Sequence, residues 1–518
     1  VARVVLAALP ATDDRAEALL ARAVALLVTD LERKLPNFRA LRVGVVLGTS
    51  SGGLGSLTTL LAERAAHVPL TVARATAASY FGPLRALERL NLTPVRLTQV
   101  LAACASSTVA MGIGCRWLEA DACDLVIAGG YDALTLFAAA GFEALGATTS
   151  SVPRPFRKDR DGLALGEGAA LVALARSEVA PALGHLLGFG VGCDAVHITA
   201  PDRTGAGLAR AARAALSDAE LEPAHIDLIS AHATATPFND SAEAHAIANV
   251  IGATAERVVV HPFKAVAGHT LGAAGTLEML AALDAARRGL LPAAYGDGEI
   301  ESEFSAHLCT RNMSGNAAQI LKLSTAFGGV NAALVVAPQL PRRPAAARAR
   351  HRVRLRALGE PQLAPDLALI ARHVSISQLD LERLERPSLL ALSAVASVFD
   401  AHALDPDARK ACGVIVGTMS ASLEVNELFA AKLRERGPRG AEPRRFPATS
   451  PNLPAGRAAI AFSLQGPAFS VGAGPYAALE ALLLAIELLE AGDAGALFVV
   501  ALEDVGSVVR DVFGAAGL

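Results

Sequence analysis

Cys104 stands in the segment Leu101-Ala-Ala-Cys-Ala-Ser-Ser-Thr-Val-Ala-Met111, between an apolar run and a helix-like stretch of small residues. At the start of a helix, unpaired backbone N–H groups and the positive end of the helix dipole favour a thiolate. A thiolate attacks thioesters well, so the segment points to acyl transfer. A single cysteine is more often inert core than nucleophile. The case for Cys104 therefore rests on two histidines further along the chain. His232 lies in Ile226-Asp-Leu-Ile-Ser-Ala-His-Ala-Thr-Ala-Thr-Pro-Phe-Asn-Asp240. His269 lies in Phe263-Lys-Ala-Val-Ala-Gly-His-Thr-Leu-Gly-Ala-Ala-Gly-Thr-Leu-Glu278. Each histidine sits at a strand-to-turn junction, where a rigid scaffold aims loop residues. The small residues from Gly272 to Gly275 open a helix and let a second backbone, or a long thin substrate, come close. A glycine loop, Ser324-Thr-Ala-Phe-Gly-Gly-Val-Asn331, completes the set.

The elements that must position these groups alternate. Short apolar runs at Val43–Leu47, Leu125–Ala128, Ala170–Ala175, Leu228–Ser230, Val258–Val260 and Ala333–Val336 are separated by Ala/Leu-rich helical stretches. That alternation predicts an α/β fold over residues 1–340. At 518 residues the chain can bury a large core. It is 52% apolar, but its longest apolar stretches carry charges, as Leu479–Leu489 carries Glu480 and Glu487, so no transmembrane helix is expected. The start, Val1-Ala-Arg-Val-Val-Leu, lacks the pattern of a signal peptide. A net charge of -3 and 4% aromatic residues do not indicate a nucleic-acid surface. Six cysteines without close metal-ligand or CxxC spacing suggest a reducing, cytoplasmic setting and no metal site.

The motifs together resemble the β-ketoacyl synthases of fatty-acid and polyketide assembly, of the elongating type. The resemblance takes in Gly44-Val-Val-Leu-Gly-Thr-Ser-Ser-Gly52, the Cys104 elbow, Asp124-Leu-Val-Ile-Ala-Gly-Gly130 and Arg154-Pro-Phe156. It continues through Asp159-Arg-Asp-Gly162, Gly166-Glu-Gly168, both histidine segments and the glycine loop, all in the family's order. The His269 segment separates this type from the initiating synthases, whose triad resembles Cys-His-Asn. The resemblance implies the thiolase fold, layered αβαβα, with two similar βα halves. It places the nucleophile in the first half (1–180) and the histidines in the second (181–340).

The implied reaction is a decarboxylative Claisen condensation. Cys104 takes an acyl chain from the phosphopantetheine arm of an acyl carrier protein, and a malonyl-type extender on a second carrier attacks that thioester. By resemblance, His232 and His269 donate Nε2–H groups to the developing enolate, and the backbone N–H groups of Cys104 and Phe327 form the oxyanion hole for acyl transfer. Lys264 and Glu278 support the histidine loops, Thr234 and Thr236 bind the pantetheine arm, and Phe327 gates the acyl pocket. The enzyme itself needs no bound cofactor, because its substrates arrive on the carrier's phosphopantetheine.

Several positions depart from the family pattern. Ala233 and Ala235 replace usual glycines, and a methyl group disfavours positive φ, so a different or more restricted loop is expected. Ala326 replaces another glycine beside the gate and is expected to stiffen it. Arg157 stands where an acidic residue commonly follows Pro-Phe, and the stretch before the nucleophile is short.

Residues 341–354 read as a basic, proline-containing linker. Beyond it, Gly413-Val-Ile-Val-Gly-Thr-Met-Ser420 echoes Gly44-Val-Val-Leu-Gly-Thr-Ser-Ser51. Val471-Gly-Ala-Gly-Pro-Tyr-Ala-Ala-Leu-Glu480 echoes the nucleophile elbow, and Leu489-Glu-Ala491 echoes Leu118-Glu-Ala120. Residues 355–518 thus read as a degenerate first half, with Gly474 in the nucleophile's place and no following second half. This unit fits a non-catalytic, chain-length-factor-like role. It is expected to fold back as an intramolecular partner, pairing an edge strand with the first half and walling the acyl pocket, with further oligomerisation left open. For residues 1–340 the alternatives to condensation are a non-catalytic partner, or an acyltransferase or thioesterase using Cys104 without decarboxylation. Two enolate donors argue against the latter.

Overall fold

The computed structural model describes residues 14–176, 182–252, 255–340, 350–402 and 404–516. The opening residues from which the N-terminus was read, and residues 341–349 of the basic linker, lie outside the described residues.

In the first unit, β1 (Val43–Gly48), β2 (Arg96–Leu101), β3 (Leu125–Asp132) and β4 (Gly168–Ala175) form one sheet. The first three run parallel in the order β2-β1-β3, and β4 pairs antiparallel with β3. β1 and β3 are buried on both faces, which is why they read as continuous apolar runs. The second unit carries β5 (His185–Cys193), β6 (Leu228–Ser230), β7 (Val259–His261), a short ribbon of β8 (Leu290–Leu291) and β9 (Met313–Ser314), β10 (Ile320–Thr325) and β11 (Val330–Ala337). Its main sheet has the order β5-β11-β10-β6-β7. The run expected at 258–260 lies one residue later, and the other apolar runs fall within observed strands.

Two helices are sandwiched between these sheets: the nucleophile helix Ser106–Glu119 and the helix Ala274–Arg287 that comes after His269. They cross in contact. A Cβ on Gly275 would lie 2.0 Å from Thr108 Oγ1, so only glycine fits there. The Thr276 N–H reaches Ser107 Oγ at 3.2 Å, and Thr108 shares a hydroxyl hydrogen bond with Ser324 at 2.8 Å. Outer helices Arg15–Lys34, Ala206–Asp218 and Pro237–Ile251 cover the far faces of the sheets. The result is five layers, αβαβα.

The third unit adds β12 (Cys412–Gly417), β13 (Ala468–Val471) and β14 (Ala496–Ala501) to the first sheet, whose full order is β14-β12-β13-β2-β1-β3-β4. β13 pairs antiparallel with β2, Ser470 opposite Leu101 and Val471 opposite Val100. The order on one side of this seam mirrors that on the other, so a pseudo-two-fold axis runs between β2 and β13 within one chain. Pairing removes an edge each unit would otherwise expose. One core crosses the seam, with Ile415, Phe469 and Val471 packed in the same cluster as Val100, Met111 and Leu228. Arg116, 2% exposed, ties all three units: it reaches Asp493 at 2.8 Å and Asp218 at 2.9 Å. Glu487 accepts from Trp117 Nε1 at 2.8 Å and pairs with Arg96, and Thr98 donates to Glu480 at 2.7 Å.

The symmetry corrects one expectation. Thr49 N–H bonds the Val100 carbonyl as Thr418 N–H bonds that of Val471, each at 3.1 Å. A Cβ on Gly48 would meet the backbone of Ser106 and Ser107, and one on Gly417 that of Ala477 and Ala478. Helix Ser106–Glu119 therefore corresponds to helix Ala477–Glu490. The counterpart of Cys104 is then Pro475, and Gly474 corresponds to Ala103. The count from sequence slipped by one because the turns after β1 and β12 lead to their next strands through unequal lengths of chain. Pro475 has neither a thiol nor a backbone N–H. Tyr476 at the start of helix Ala477–Glu490, and Leu479, Leu482 and Leu483 along it, are exposed. Their counterparts Ala105, Thr108, Met111 and Gly112 are buried beneath the second unit, and among the described residues no such unit covers the third.

Candidate active site

β2 ends at Leu101, and the chain turns sharply to present Cys104. Ala103 has φ +47°, a left-handed value that costs a non-glycine residue about 1–2 kcal/mol. The elbow is pinned from below by the Ser106 hydroxyl, which accepts from Ala102 N–H at 2.9 Å and lies 2.6 Å from the Ala103 carbonyl and 3.0 Å from that of Thr49. Gly48 makes room for this contact, since a Cβ there would sit 2.3 Å from the Ser106 carbonyl carbon.

His269 Nε2 lies 3.0 Å from Cys104 Sγ. Its Nδ1 accepts from Leu271 N–H at 3.3 Å, so Nε2 carries the proton facing sulfur. The His232 ring stands at 89° to that of His269, centroids 5.5 Å apart. Lys264 Nζ reaches His232 Nδ1 at 3.2 Å, and a lysine only donates, so His232 is likewise an Nε2–H tautomer. Lys264 in turn pairs with Glu278 at 2.6 Å, both 2% exposed, and Lys322, fully buried, reaches the other Glu278 oxygen at 2.8 Å. Burial, then the Lys264 charge, holds both imidazoles well below the usual histidine range, so they are neutral donors.

The same burial overturns the expected thiolate. It pushes the Cys104 thiol up to about 12, against the opposing pull of Lys264. Buried sulfur loses more by desolvation than the nearby positive charge returns. Burial thus favours the neutral thiol in the resting site.

The histidine loops are tied by carboxylates. Glu243, on helix Pro237–Ile251, accepts from the N–H groups of His232 at 2.6 Å and Ala233 at 2.7 Å. Asp240 accepts from Ala235 N–H at 3.1 Å and Phe156 N–H at 2.9 Å. These bonds hold Ala233 at φ +43° and Ala235 at φ +61°, so the methyl groups have not driven the loop to another backbone as expected. The anchors impose the glycine-like conformation and the alanines carry the strain. Asp132, at the end of β3, gathers the N–H groups of Ser50 at 2.8 Å, Ser51 at 3.0 Å and Gly272 at 2.6 Å. It thereby joins the β1 turn to the His269 loop. Burial raises Asp132 and Asp240 to about 6 and Glu243 to about 7. Thr234 and Thr236 share a hydroxyl hydrogen bond at 2.9 Å beside His232. Arg157, 3% exposed, donates to the Gly296 carbonyl at 3.3 Å.

A cavity of about 50 Å³ opens beside Cys104. Phe327 borders it, stacked on Phe142 with centroids 5.8 Å apart, and Phe142 meets Phe446 of the third unit edge-on at 5.2 Å. Asn426, Phe446, Pro447, Thr449 and Ser450 line the same cavity, so one wall comes from residues 355–518. Asn452 Nδ2 also donates to the Phe327 carbonyl at 2.8 Å. The turn after Phe327 takes its positive φ values at Gly328 and Gly329; Ala326 is not among the positive-φ residues, so its methyl adds no backbone strain.

All eight residues singled out in the sequence fall in this region, on the two histidine loops, the elbow, the gate and, for Glu278, the helix Ala274–Arg287. Sequence reasoning missed Lys322, Glu243, Asp240, Asp132 and the third-unit side chains. Lys322 carried a signal: a lysine amid an apolar strand requires a buried partner. Glu243 and Asp240 looked like ordinary polar positions of an Ala-rich helix. Among the described residues no group of His, Cys, Asp and Glu could hold a metal ion, all six cysteines are free, and no helix is long and apolar enough to cross a membrane.

The model of the β-ketoacyl synthase N-terminal domain matches this chain twice, over residues 11–180 and 366–518, and that of the C-terminal domain matches residues 183–296. The 3-oxoacyl-[acyl-carrier-protein] synthase 2 of Synechocystis sp. is 32% identical over 286 residues, 51% of this chain and 67% of that protein. The ishigamide ketosynthase/chain length factor structure aligns with a TM-score of 0.57 at 30% identity, covering 62% of this chain and 82% of that one. The PfaC keto synthase-chain length factor aligns over 92% of this chain and 63% of that one with a TM-score of 0.76; at 18% identity this is a likeness of fold alone. With a thiol, two neutral imidazoles and a thiolase-like layering in place, the matches of both domain models establish that this chain belongs to the β-ketoacyl synthase family, the enzymes of decarboxylative Claisen condensation in fatty-acid and polyketide synthesis.

Proposed function

We propose that residues 1–340 condense an acyl group on Cys104 with a malonyl-type extender, both delivered by acyl carrier protein, and that residues 355–518 serve as a built-in, non-catalytic partner. The observation that carries this reading is the 3.0 Å contact of Cys104 Sγ with an imidazole fixed as the Nε2–H tautomer, with a second such imidazole alongside.

In the first step Cys104 sulfur bonds to the carrier-bound acyl carbon, the pantetheine sulfur leaves, and the thiol proton goes to it. The Cys104 and Phe327 N–H groups stabilise the oxyanion, and the His269 Nε2–H stabilises negative charge on sulfur. In the second, the bond to the extender's carboxylate breaks, carbon dioxide departs, and its electron pair forms an enolate whose oxygen takes the Nε2–H groups of His232 and His269. The enolate carbon then attacks the acyl thioester, and Cys104 leaves as thiolate to be reprotonated. Donors fixed before charge develops are worth about 3 kcal/mol each. Lys264, backed by Glu278 and Lys322, holds His232 in its tautomer, and the Leu271 N–H holds His269. Thr234 and Thr236 are the candidate hydroxyls for the pantetheine arm. The name of the Synechocystis relative supports the carrier protein as partner.

The partner role of residues 355–518 is supported by the β13–β2 seam, by the Phe446 and Asn426 wall, and by Pro475 in place of a nucleophile. The test is incubation with acyl- and malonyl-carrier protein, reading Cys104 mass and carbon dioxide release. Acylation of Cys104 with extender-dependent release and a lengthened product is expected. Release without acylation of Cys104 overturns the condensation reading.

A further inference from the structure

The cavity beside Cys104 is apolar along Phe137, Phe142, Phe327 and Phe446, but its third-unit end is polar. The hydroxyl protons of Tyr80, Thr449 and Ser450 are already engaged. Tyr80 Oη donates to the Thr449 carbonyl at 3.3 Å, Thr449 Oγ1 to the Phe446 carbonyl at 2.6 Å, and Ser450 Oγ to Asn452 Oδ1 at 2.5 Å. Because Tyr80 gives its proton away, it accepts from Asn426, and Asn426 presents Nδ2 to it at 2.8 Å. With Nδ2 on Tyr80, Asn426 Oδ1 points the other way. Asn426 is 1% exposed and borders the cavity, and Oδ1 has no hydrogen-bond partner. Among Tyr80, Asn426, Thr449 and Ser450, this end of the cavity therefore presents an unpaired acceptor, Asn426 Oδ1, and no free hydroxyl proton.

An unsubstituted alkyl chain leaves a buried acceptor against methylene groups, which is unfavourable. We propose that the acyl chain held here bears a hydroxyl group, and that its O–H donates to Asn426 Oδ1, making Asn426 a specificity-determining residue of the catalytic cavity. The inference rests on the reading that this cavity takes the acyl chain of Cys104. A site built to bond a substrate hydroxyl rejects the analogue lacking it far more strongly than an apolar pocket rejects an added methylene.

The experiment uses the full chain and carrier proteins bearing acyl groups of one length: the alkyl chain, a series with a single hydroxyl at successive carbons, and the matching ketones. Loading of Cys104 is read by mass spectrometry. The expected result is a hydroxyl position at which loading exceeds that of the alkyl chain by about tenfold or more, with the ratio falling towards one in Asn426→Leu. A wild-type ratio near one at every position, or a preference for the ketone, overturns the proposal without any variant having to fold. A ratio unchanged in Asn426→Leu overturns it too. Failure of every acyl group to reach Cys104 would instead overturn the condensation reading, and this inference with it.

Discussion

His269 touches Cys104 Sγ through Nε2 at 3.0 Å while its Nδ1 is held by the backbone N–H of Leu271 at 3.3 Å. A histidine so held donates toward sulfur and the cavity, and cannot accept the thiol proton without giving up its anchor. The donor role separates the half-reactions. Cys104→Ala should carry no acyl chain and still release carbon dioxide from malonyl-carrier protein. His232→Ala should load Cys104 near the wild-type rate and slow carbon dioxide release by about 10²–10³, the worth of one preorganised donor. Measuring loading and release separately checks this, and a variant impaired equally in both would contradict the division of labour.

The buried carboxylates predict a pH dependence of stability. Glu243 is raised to about 7 in the folded protein, against about 4.3 unfolded. Between those values the folded state binds the extra proton. The stabilisation is complete below the unfolded value and is lost as pH rises through about 7. The melting temperature of wild type should therefore fall more between pH 5 and pH 8 than that of Glu243→Gln. Parallel falls in the two proteins would show that Glu243 does not titrate in this window.

Ala233 and Ala235 predict a gain. Each occupies the left-handed region at about 1–2 kcal/mol, and glycine removes that strain while adding about 0.4–1 kcal/mol of unfolded-state entropy. The double variant Ala233→Gly, Ala235→Gly should melt about 1 °C higher with Cys104 loading intact. Ala233→Val, β-branched, should melt lower. Calorimetry of the three proteins decides it.

How far the sequence carried the reading differs from one residue to the next. The strands were legible because β1, β3 and β11 are buried on both faces and leave uninterrupted apolar runs. Cys104, His232 and His269 were legible from their small-residue surroundings, which mark close backbone approach. The thiol's protonation was not, since it depends on burial to which residues from elsewhere in the chain contribute. The conformations of Ala233 and Ala235 were not either: local preference said one thing, and two carboxylates on the next helix imposed another. The register of the third unit was misjudged by one residue because strand pairing, and not the count from glycine to glycine, fixes which residue stands at the elbow.

Arg116 predicts how strongly the units are joined. Its guanidinium, 2% exposed, faces Asp218 of the second unit and Asp493 of the third. Removing one partner of a buried ionic network costs about 3–5 kcal/mol. Arg116→Met, which keeps the apolar stem, should destabilise by that order in denaturant titration. Arg42→Met, which loses exposed pairs with Asp121 and Asp124, should leave stability near that of wild type. Equal effects would mean that the seam is not a locus of stability.

The third unit also reaches the gate, and this gives a prediction for catalysis. Asn452 Nδ2 donates to the Phe327 carbonyl at 2.8 Å and lies 2.7 Å from where a Cβ on Gly328 would stand, so the loop is pressed against residues 355–518. The peptide preceding Phe327 supplies the N–H proposed for the acyl oxyanion, and its aim depends on the anchored carbonyl next to it. Asn452→Ala leaves that donor present but poorly held. Loss of a whole oxyanion donor costs about 10²–10³ in rate, so a loosened one should slow Cys104 loading by about tenfold. In the proposed mechanism the extender half-reaction uses His232 and His269, which Asn452 does not touch, so malonyl decarboxylation should proceed at the wild-type rate. A normal loading rate would show that the gate is aimed from within its own unit; equal slowing of both reactions would show damage to the fold as a whole.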